Sequence, residues 1–220
     1  MKLNNYFDHT ILKADATEAE VEKLCDDAKT YNFCAVCVNS CYVPLAATLL
    51  AGTEVKIAAV VGFPLGAAST PVKAYEAAWA ATAGANEIDM VLHVGALKEG
   101  RYDYVREDIS EVVASSKEHG AIVKVILETC LLNDEEIVKA CQLSMEAGAA
   151  FVKTSTGFSS GGATAHHVAL MKKTVGEKML VKASGGIRDL NKTMEMIEAG
   201  ADRIGASASV QILLEYEKNK

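Results

Sequence analysis

The 220-residue chain lacks the features that would carry it to nucleic acid or a membrane. It has no basic stripe or tail and a net charge of −7, whereas nucleic-acid binders ordinarily cluster Lys and Arg. No apolar signal core follows Met1 in Met1-Lys2-Leu3-Asn4-Asn5-Tyr6-Phe7-Asp8-His9, so export is not expected. The longest uncharged run, 30–53, is interrupted by Asn32, Asn39, Ser40, Pro44 and Gly52. A spanning helix needs ~20 mostly apolar residues without such breaks. These absences predict a cytoplasmic protein with neither nucleic acid nor membrane as a partner. The acidic balance leaves a small anionic ligand open, because that needs only local positive groups.

Metal-type cysteine spacing is also missing. Of the six cysteines, Cys34, Cys37 and Cys41 lie close together. Cys34 and Cys37 have opposite parity on a predicted strand, and no fourth ligand follows at zinc-site distance. They read as reduced, structural cysteines. What the chain does have is an ordinary globular composition, 50% hydrophobic and 23% charged. No linker or composition shift divides it, so one domain over 1–220 is expected.

Short apolar runs alternate with amphipathic ones. Strands are predicted at 6–9, 35–38, 55–61, 87–91, 122–127, 151–153, 180–183 and 203–205. Helices are predicted at 17–31, 44–51, 70–83, 101–119, 133–147, 164–175, 189–199 and 207–216. Thr17 with Glu20 three residues on is a capping-box signature, and Pro71 suits the first helical position. Ala83-Gly84-Ala85, Ala147-Gly148-Ala149 and Ala199-Gly200-Ala201 repeat one junction in which glycine ends a helix before a strand. Eight such units in one domain predict an α/β fold, a single (β/α)8 TIM barrel of parallel strands. An open doubly wound sheet is the second reading, but no Gly-rich dinucleotide turn follows the first strand.

Active sites of this barrel form at the carboxyl ends of the strands. Three charged residues interrupt apolar strands there: Asp89, Lys153 and Lys182. One alone would read as a structural ion pair; three at one rim point to chemistry. A lysine attacks a carbonyl only as the neutral amine. A second ammonium ~4 Å away, at an effective dielectric of about 20, costs the charged form roughly 4 kcal/mol. That brings an amine of ordinary value near 10.4 toward neutrality. Asp89 would carry protons, directly or through water. Spacing alone does not say which lysine attacks. Glycines follow the strands, as Gly157, Gly185-Gly186 and Gly205. With Ser207 before the last helix, they form a candidate anion site, and Arg188 is a candidate positive group nearby. The five histidines show no catalytic spacing. His166 and His167 fall in a first helical turn, and His93 lies close after Asp89.

Several segments together carry a family resemblance. They are Asp8-His9-Thr10-Ile11-Leu12-Lys13, Ala35-Val36-Cys37-Val38-Asn39, Val60-Val61-Gly62-Phe63-Pro64-Leu65-Gly66, Glu87-Ile88-Asp89-Met90-Val91 and Lys124-Val125-Ile126-Leu127-Glu128-Thr129. Two more are Phe151-Val152-Lys153-Thr154-Ser155-Thr156-Gly157-Phe158 and Val181-Lys182-Ala183-Ser184-Gly185-Gly186-Ile187-Arg188. In this order the chain resembles the deoxyribose-phosphate aldolase family of class I, Schiff-base aldolases. The resemblance implies a lyase of deoxyribonucleotide catabolism. It would reversibly cleave 2-deoxy-D-ribose 5-phosphate to acetaldehyde and D-glyceraldehyde 3-phosphate, with no metal and no organic cofactor. It implies Lys153 as the imine-forming residue, Lys182 as the group that depresses its pKa, and Asp89 as the proton relay. Gly185, Gly186 and Ser207 resemble phosphate-binding positions with Gly157 beside them. Asp8, Thr10 and Cys37 match positions near the substrate. Two departures stand out. Some relatives pair serines where this chain has Ser207-Ala208-Ser209, and some carry a longer tail whose tyrosine reaches the site. Tyr216 reads instead as the end of the last helix. Rival readings are another imine-forming barrel aldolase of transaldolase type, and a non-catalytic phosphate-metabolite binding protein. A homodimer is the expected assembly on base rates.

Overall fold

The computed structural model describes residues 1–219. Among them eight strands pair in parallel and in chain order, and the last closes on the first. They are β1 (Phe7–Thr10), β2 (Ala35–Val38), β3 (Lys56–Val61), β4 (Glu87–Val91), β5 (Ile122–Ile126), β6 (Phe151–Lys153), β7 (Leu180–Ser184) and β8 (Arg203–Ala206). Helices α1 (Glu18–Tyr31), α2 (Val43–Leu49), α3 (Thr70–Thr82), α4 (Val94–Lys98), α5 (Tyr102–Lys117), α6 (Asp134–Glu146), α7 (Ala165–Val175), α8 (Leu190–Glu198) and α9 (Ser209–Lys218) lie between and after them. This is the expected (β/α)8 barrel.

Local chemistry sets most boundaries. Thr17 accepts from the Glu20 N–H and Glu20 bonds back to the Thr17 N–H, starting α1 at Glu18. Asn133 and Glu136 form the same reciprocal pair before α6. The repeated junction glycines take left-handed φ, +117° at Gly84, +81° at Gly148 and +107° at Gly200, which releases the chain into the next strand.

Several predicted ends shift by one or two residues, and three differences change how an element begins. A 3-10 turn over Leu3–Tyr6 takes Tyr6 out of β1. Helix α3 begins at Thr70, making Pro71 its second residue. The last helix begins at Ser209, and Gly205 and Ala206 belong to β8, so Ser207 stays in the turn between them. Helix α4 is an addition, five residues long and capped by the His93 ring.

Strand residues alternate between two unlike environments. Phe7, Val36, Val38, Ile88, Met90, Val123, Val125, Val152, Val181 and Ile204 face outward into the main apolar core under the helices. The alternate residues face the barrel axis. There a small apolar cluster, Leu12, Cys37, Ala58 and Val60 with Phe63 against it, occupies one side. Much of the rest of the axis is charged, with Phe151 lying against Lys124 and Arg203, where barrels of this kind usually stack branched aliphatics.

Candidate active site

Seven charged side chains meet inside the barrel. Lys153 on β6 lies directly beside Lys182 on β7, and Lys182 beside Arg203 on β8. Asp89 on β4 lies beside Lys124 on β5. The Asp89 carboxylate accepts from the Nζ of Lys124, Lys153 and Lys182, each at 2.7 Å. Below it, Asp8 pairs with Lys182 at 2.5 Å and with Arg203, and Glu87 pairs with Lys124 and Arg203.

The count of charges selects the reactive amine. Four cations (Lys124, Lys153, Lys182, Arg203) face three carboxylates (Asp8, Glu87, Asp89), so one cation lacks an anion of its own. Lys182 is held by two carboxylates and is fully buried. Lys153 bonds to one, and it is the lysine of the three that lines the cavity. Burial lowers the Lys153 pKa, Lys182 lowers it further, and Asp89 opposes both. Burial also disfavours charge on Lys182 and Lys124, but the carboxylates outweigh it and raise both. Burial pushes against ionised Asp89 and Asp8 too, yet their lysines and arginine hold both well below the usual carboxylate range. Desolvation is thus the leading cause of the Lys153 shift, where the sequence pointed to the neighbouring ammonium. With Lys153 neutral the seven groups balance.

Above this network opens a cavity of about 460 Å³ at the carboxyl ends of the strands. Lys153, Thr10, Gly157, Gly185, Gly186 and Ser207 line it, together with Lys13, Phe158 and Arg188. Gly157, Gly185 and Gly186 have φ of +86°, +86° and +76°. A Cβ on Gly185 would lie 3.1 Å from Gly162 and 3.5 Å from Gly157, so these turns need bare backbone. The N–H groups of Gly157, Gly185, Gly186 and Ser207 donate to no acceptor among the described residues. An anion in the cavity would meet this ring of donors.

Two expected substrate neighbours sit lower. Asp8 is fully buried in the ion network, and Cys37 is fully buried with its sulfur 3.9 Å from the Asp89 carboxylate. Neither lines the cavity. Burial raises the Cys37 thiol pKa, keeping it neutral. His93 turns away, accepting from the Ala96 N–H at 3.1 Å and packing on Tyr104. His166 is exposed and pairs with Asp134 on the outer surface. Lys124, Glu87 and Arg203 are the functional-network residues that the carboxyl-end criterion misses.

The chain resembles known proteins across nearly all its length. The sequence model of the DeoC/LacD family aldolases matches residues 3–214. The deoxyribose-phosphate aldolase of Carboxydothermus hydrogenoformans is 59% identical over 214 residues, 96% of this chain and 94% of that protein. The deoxyribose-phosphate aldolase of Enterococcus faecalis is 59% identical over 213 residues, 97% of this chain and 96% of its own. The solved structure of the deoxyribose phosphate aldolase from Aeropyrum pernix, described as tetrameric, superposes with a TM-score of 0.92 at 36% identity. It covers 99% of this chain and 92% of that one.

Proposed function

The chain belongs to the DeoC/LacD family of aldolases, and from that premise we propose that it reversibly cleaves 2-deoxy-D-ribose 5-phosphate through an imine on Lys153. The observation that carries this reading is the unequal pairing of the lysines. Lys182 shares two carboxylates, whereas Lys153 shares one and faces the cavity.

The neutral Lys153 amine adds to the C1 aldehyde of the open-chain sugar, and loss of water leaves an iminium. That cation draws in the electrons of the C2–C3 bond as the C3 hydroxyl gives up its proton, through water, to Asp89. D-glyceraldehyde 3-phosphate departs and an enamine remains on Lys153. Protonation at C2 and hydrolysis release acetaldehyde and the free amine. Asp89 joins the Lys182 ammonium, which holds a proton, to the Lys153 nitrogen, with both bonds at 2.7 Å. Its lysines keep Asp89 ionised, so its Oδ2, bonded to both nitrogens, gives the proton a short bridge between them. The free N–H groups of Gly157, Gly185, Gly186 and Ser207 suit the 5-phosphate, with Lys13 and Arg188 as cations at the rim. Thr10 lines the same cavity beside them. Asp8 and Cys37 support the reaction from beneath, Asp8 by keeping Lys182 charged.

A phosphorylated sugar as substrate and a homodimer belong to the same reading. Val72, Tyr75 and Trp79 form an exposed stripe on one face of α3, which suits self-association. Among the described residues no helix is long and apolar enough to cross a membrane, and a cytoplasmic location remains part of the proposal.

Reductive trapping tests the mechanism. Incubation with acetaldehyde and sodium borohydride should add 28 Da, roughly the mass of one ethyl group replacing hydrogen, to the peptide holding Lys153. An adduct on Lys182 in its place, or none on any lysine, would overturn the assignment.

A further inference from the structure

Two non-glycine residues among those described have a positive φ, Asn32 and Glu128. Asn32 ends α1, where asparagine commonly takes that conformation. Glu128 has no such excuse. It lies just past β5 with φ 57° and ψ 59°, a region that a residue with a long side chain rarely occupies. It is also 4% exposed and belongs to none of the ion pairs of the barrel axis.

The backbone on either side explains what the conformation achieves. The Leu127 N–H donates to the Lys153 carbonyl and the Thr129 N–H to the Thr154 carbonyl, both at 2.9 Å, so β5 stays tied to β6 past its end. The left-handed turn between these bonds sends the Glu128 carboxylate along the chain that leaves Lys153. There Oε1 accepts the Thr156 N–H at 3.2 Å and Oε2 accepts the Thr156 hydroxyl in a short bond. The Thr156 oxygen in turn accepts the Phe158 N–H at 3.0 Å. One carboxylate therefore engages the N–H groups on both sides of Gly157, one directly and one through a hydroxyl. The N–H between them, that of Gly157, has no acceptor among the described residues and belongs to a residue lining the cavity. Gly157 packs against Gly185, so the same brace reaches the second glycine turn.

We propose that Glu128 is a positioning residue for the substrate phosphate: its carboxylate locks the Thr156–Phe158 turn so that the Gly157 N–H is held toward the anion. This rests on the functional reading above for the identity of the anion. A buried carboxylate needs fixed donors to offset its lost hydration, and Thr156 supplies two, its N–H and its hydroxyl. The side chain touches no substrate and is not a catalytic residue.

Two readouts test it. Inorganic phosphate is titrated calorimetrically into the full chain and into the Glu128→Gln variant. The ratio of kcat/KM for 2-deoxyribose 5-phosphate to that for 2-deoxyribose is then measured for both. Loss of a charged hydrogen bond predicts a roughly tenfold weaker phosphate Kd. The substrate preference should fall by about the same factor, through KM for the phosphorylated sugar. An unchanged Kd and an unchanged preference would overturn the proposal, as would equal losses on both substrates. If Glu128→Gln does not fold, Thr156→Ser and Thr156→Val are compared. Serine keeps the bridging hydroxyl and should hold phosphate more tightly than valine, and equal affinities would overturn the proposal. A wild type that traps no acetaldehyde would sink the imine mechanism while leaving the phosphate titration readable.

Discussion

At the scale of single residues, the site separates two chemically identical side chains by their surroundings. Lys153 and Lys182 are neighbours in register and share Asp89, yet one is driven toward the free amine and the other away from it. Asp8 makes the difference, since it pairs with Lys182 and not with Lys153. The Lys182→Leu variant should therefore shift the alkaline-going limb of the pH–rate profile upward. Removing an ammonium beside Lys153 favours its charged form, and the freed Asp89 then raises it further. The rate would reach its plateau at higher pH than in the wild type, and a limb in the same place would refute the coupling. Asp89, Lys153 and Lys182 are legible in the sequence because a charge interrupting a buried strand demands a reason. Lys124 gives the same signal in Ile122-Val123-Lys124-Val125-Ile126, but it lies mid-strand and a search of carboxyl ends passes it by. Arg203 and Glu87 open their strands, where charged residues are ordinary. The partnership of residues 8 and 203 spans 195 positions, and no local pattern encodes it.

At the scale of elements, what can be read from the sequence is what short-range chemistry determines. The Ala-Gly-Ala junctions and the Thr17–Glu20 box involve residues at most three apart, and each appears where the pattern places it. Helix α4 has no such signature. It contains Gly95, is too short for an amphipathic period, and depends on His93 bending over its first turn. The start of α9 moves to Ser209 because Ser207 faces the cavity, while Ser209 is buried with its hydroxyl on the Ala206 carbonyl. The capping box offers a direct check. Thr17→Ala should lower the unfolding free energy by about 1 kcal/mol, with Lys153 trapping retained, because Glu20 borders the cavity but neither it nor Thr17 bonds to the ion network that holds Lys153. Denaturant titration measures the first effect, and a loss near zero would mean that packing of Val21 and Leu24, not the cap, holds the helix start.

At the scale of the whole molecule, the barrel axis exchanges ordinary aliphatic filling for a charge network that the catalytic end requires. Such a network is an uncertain source of stability, because desolvation offsets much of the attraction, but breaking one member leaves its partners buried and uncompensated. Asp89 has the most to lose, since three lysine nitrogens converge on it. The pH at which that matters follows from the direction of the shifts. Asp8 and Asp89 are held below the ordinary carboxylate value, so each contributes stability that is fully present above about pH 3.9. That contribution is lost as pH falls through the depressed folded value. The carboxylate contribution should hold from neutrality down to about pH 4 and then fall steeply, while buried His9, whose pKa desolvation lowers, adds its own loss as pH drops below about 6.5. Asp89→Asn should be less stable at neutral pH by roughly 3–5 kcal/mol, as for a broken buried pair. Below pH 4 it should fall less steeply, having one fewer carboxylate to protonate. Its remaining acid dependence would come from Asp8, His9 and the surface acids. Denaturant titrations of both proteins across a pH series measure the two slopes. Parallel curves would show that the three lysines draw no net stability from Asp89, and that the residue is kept in the barrel for its chemistry alone.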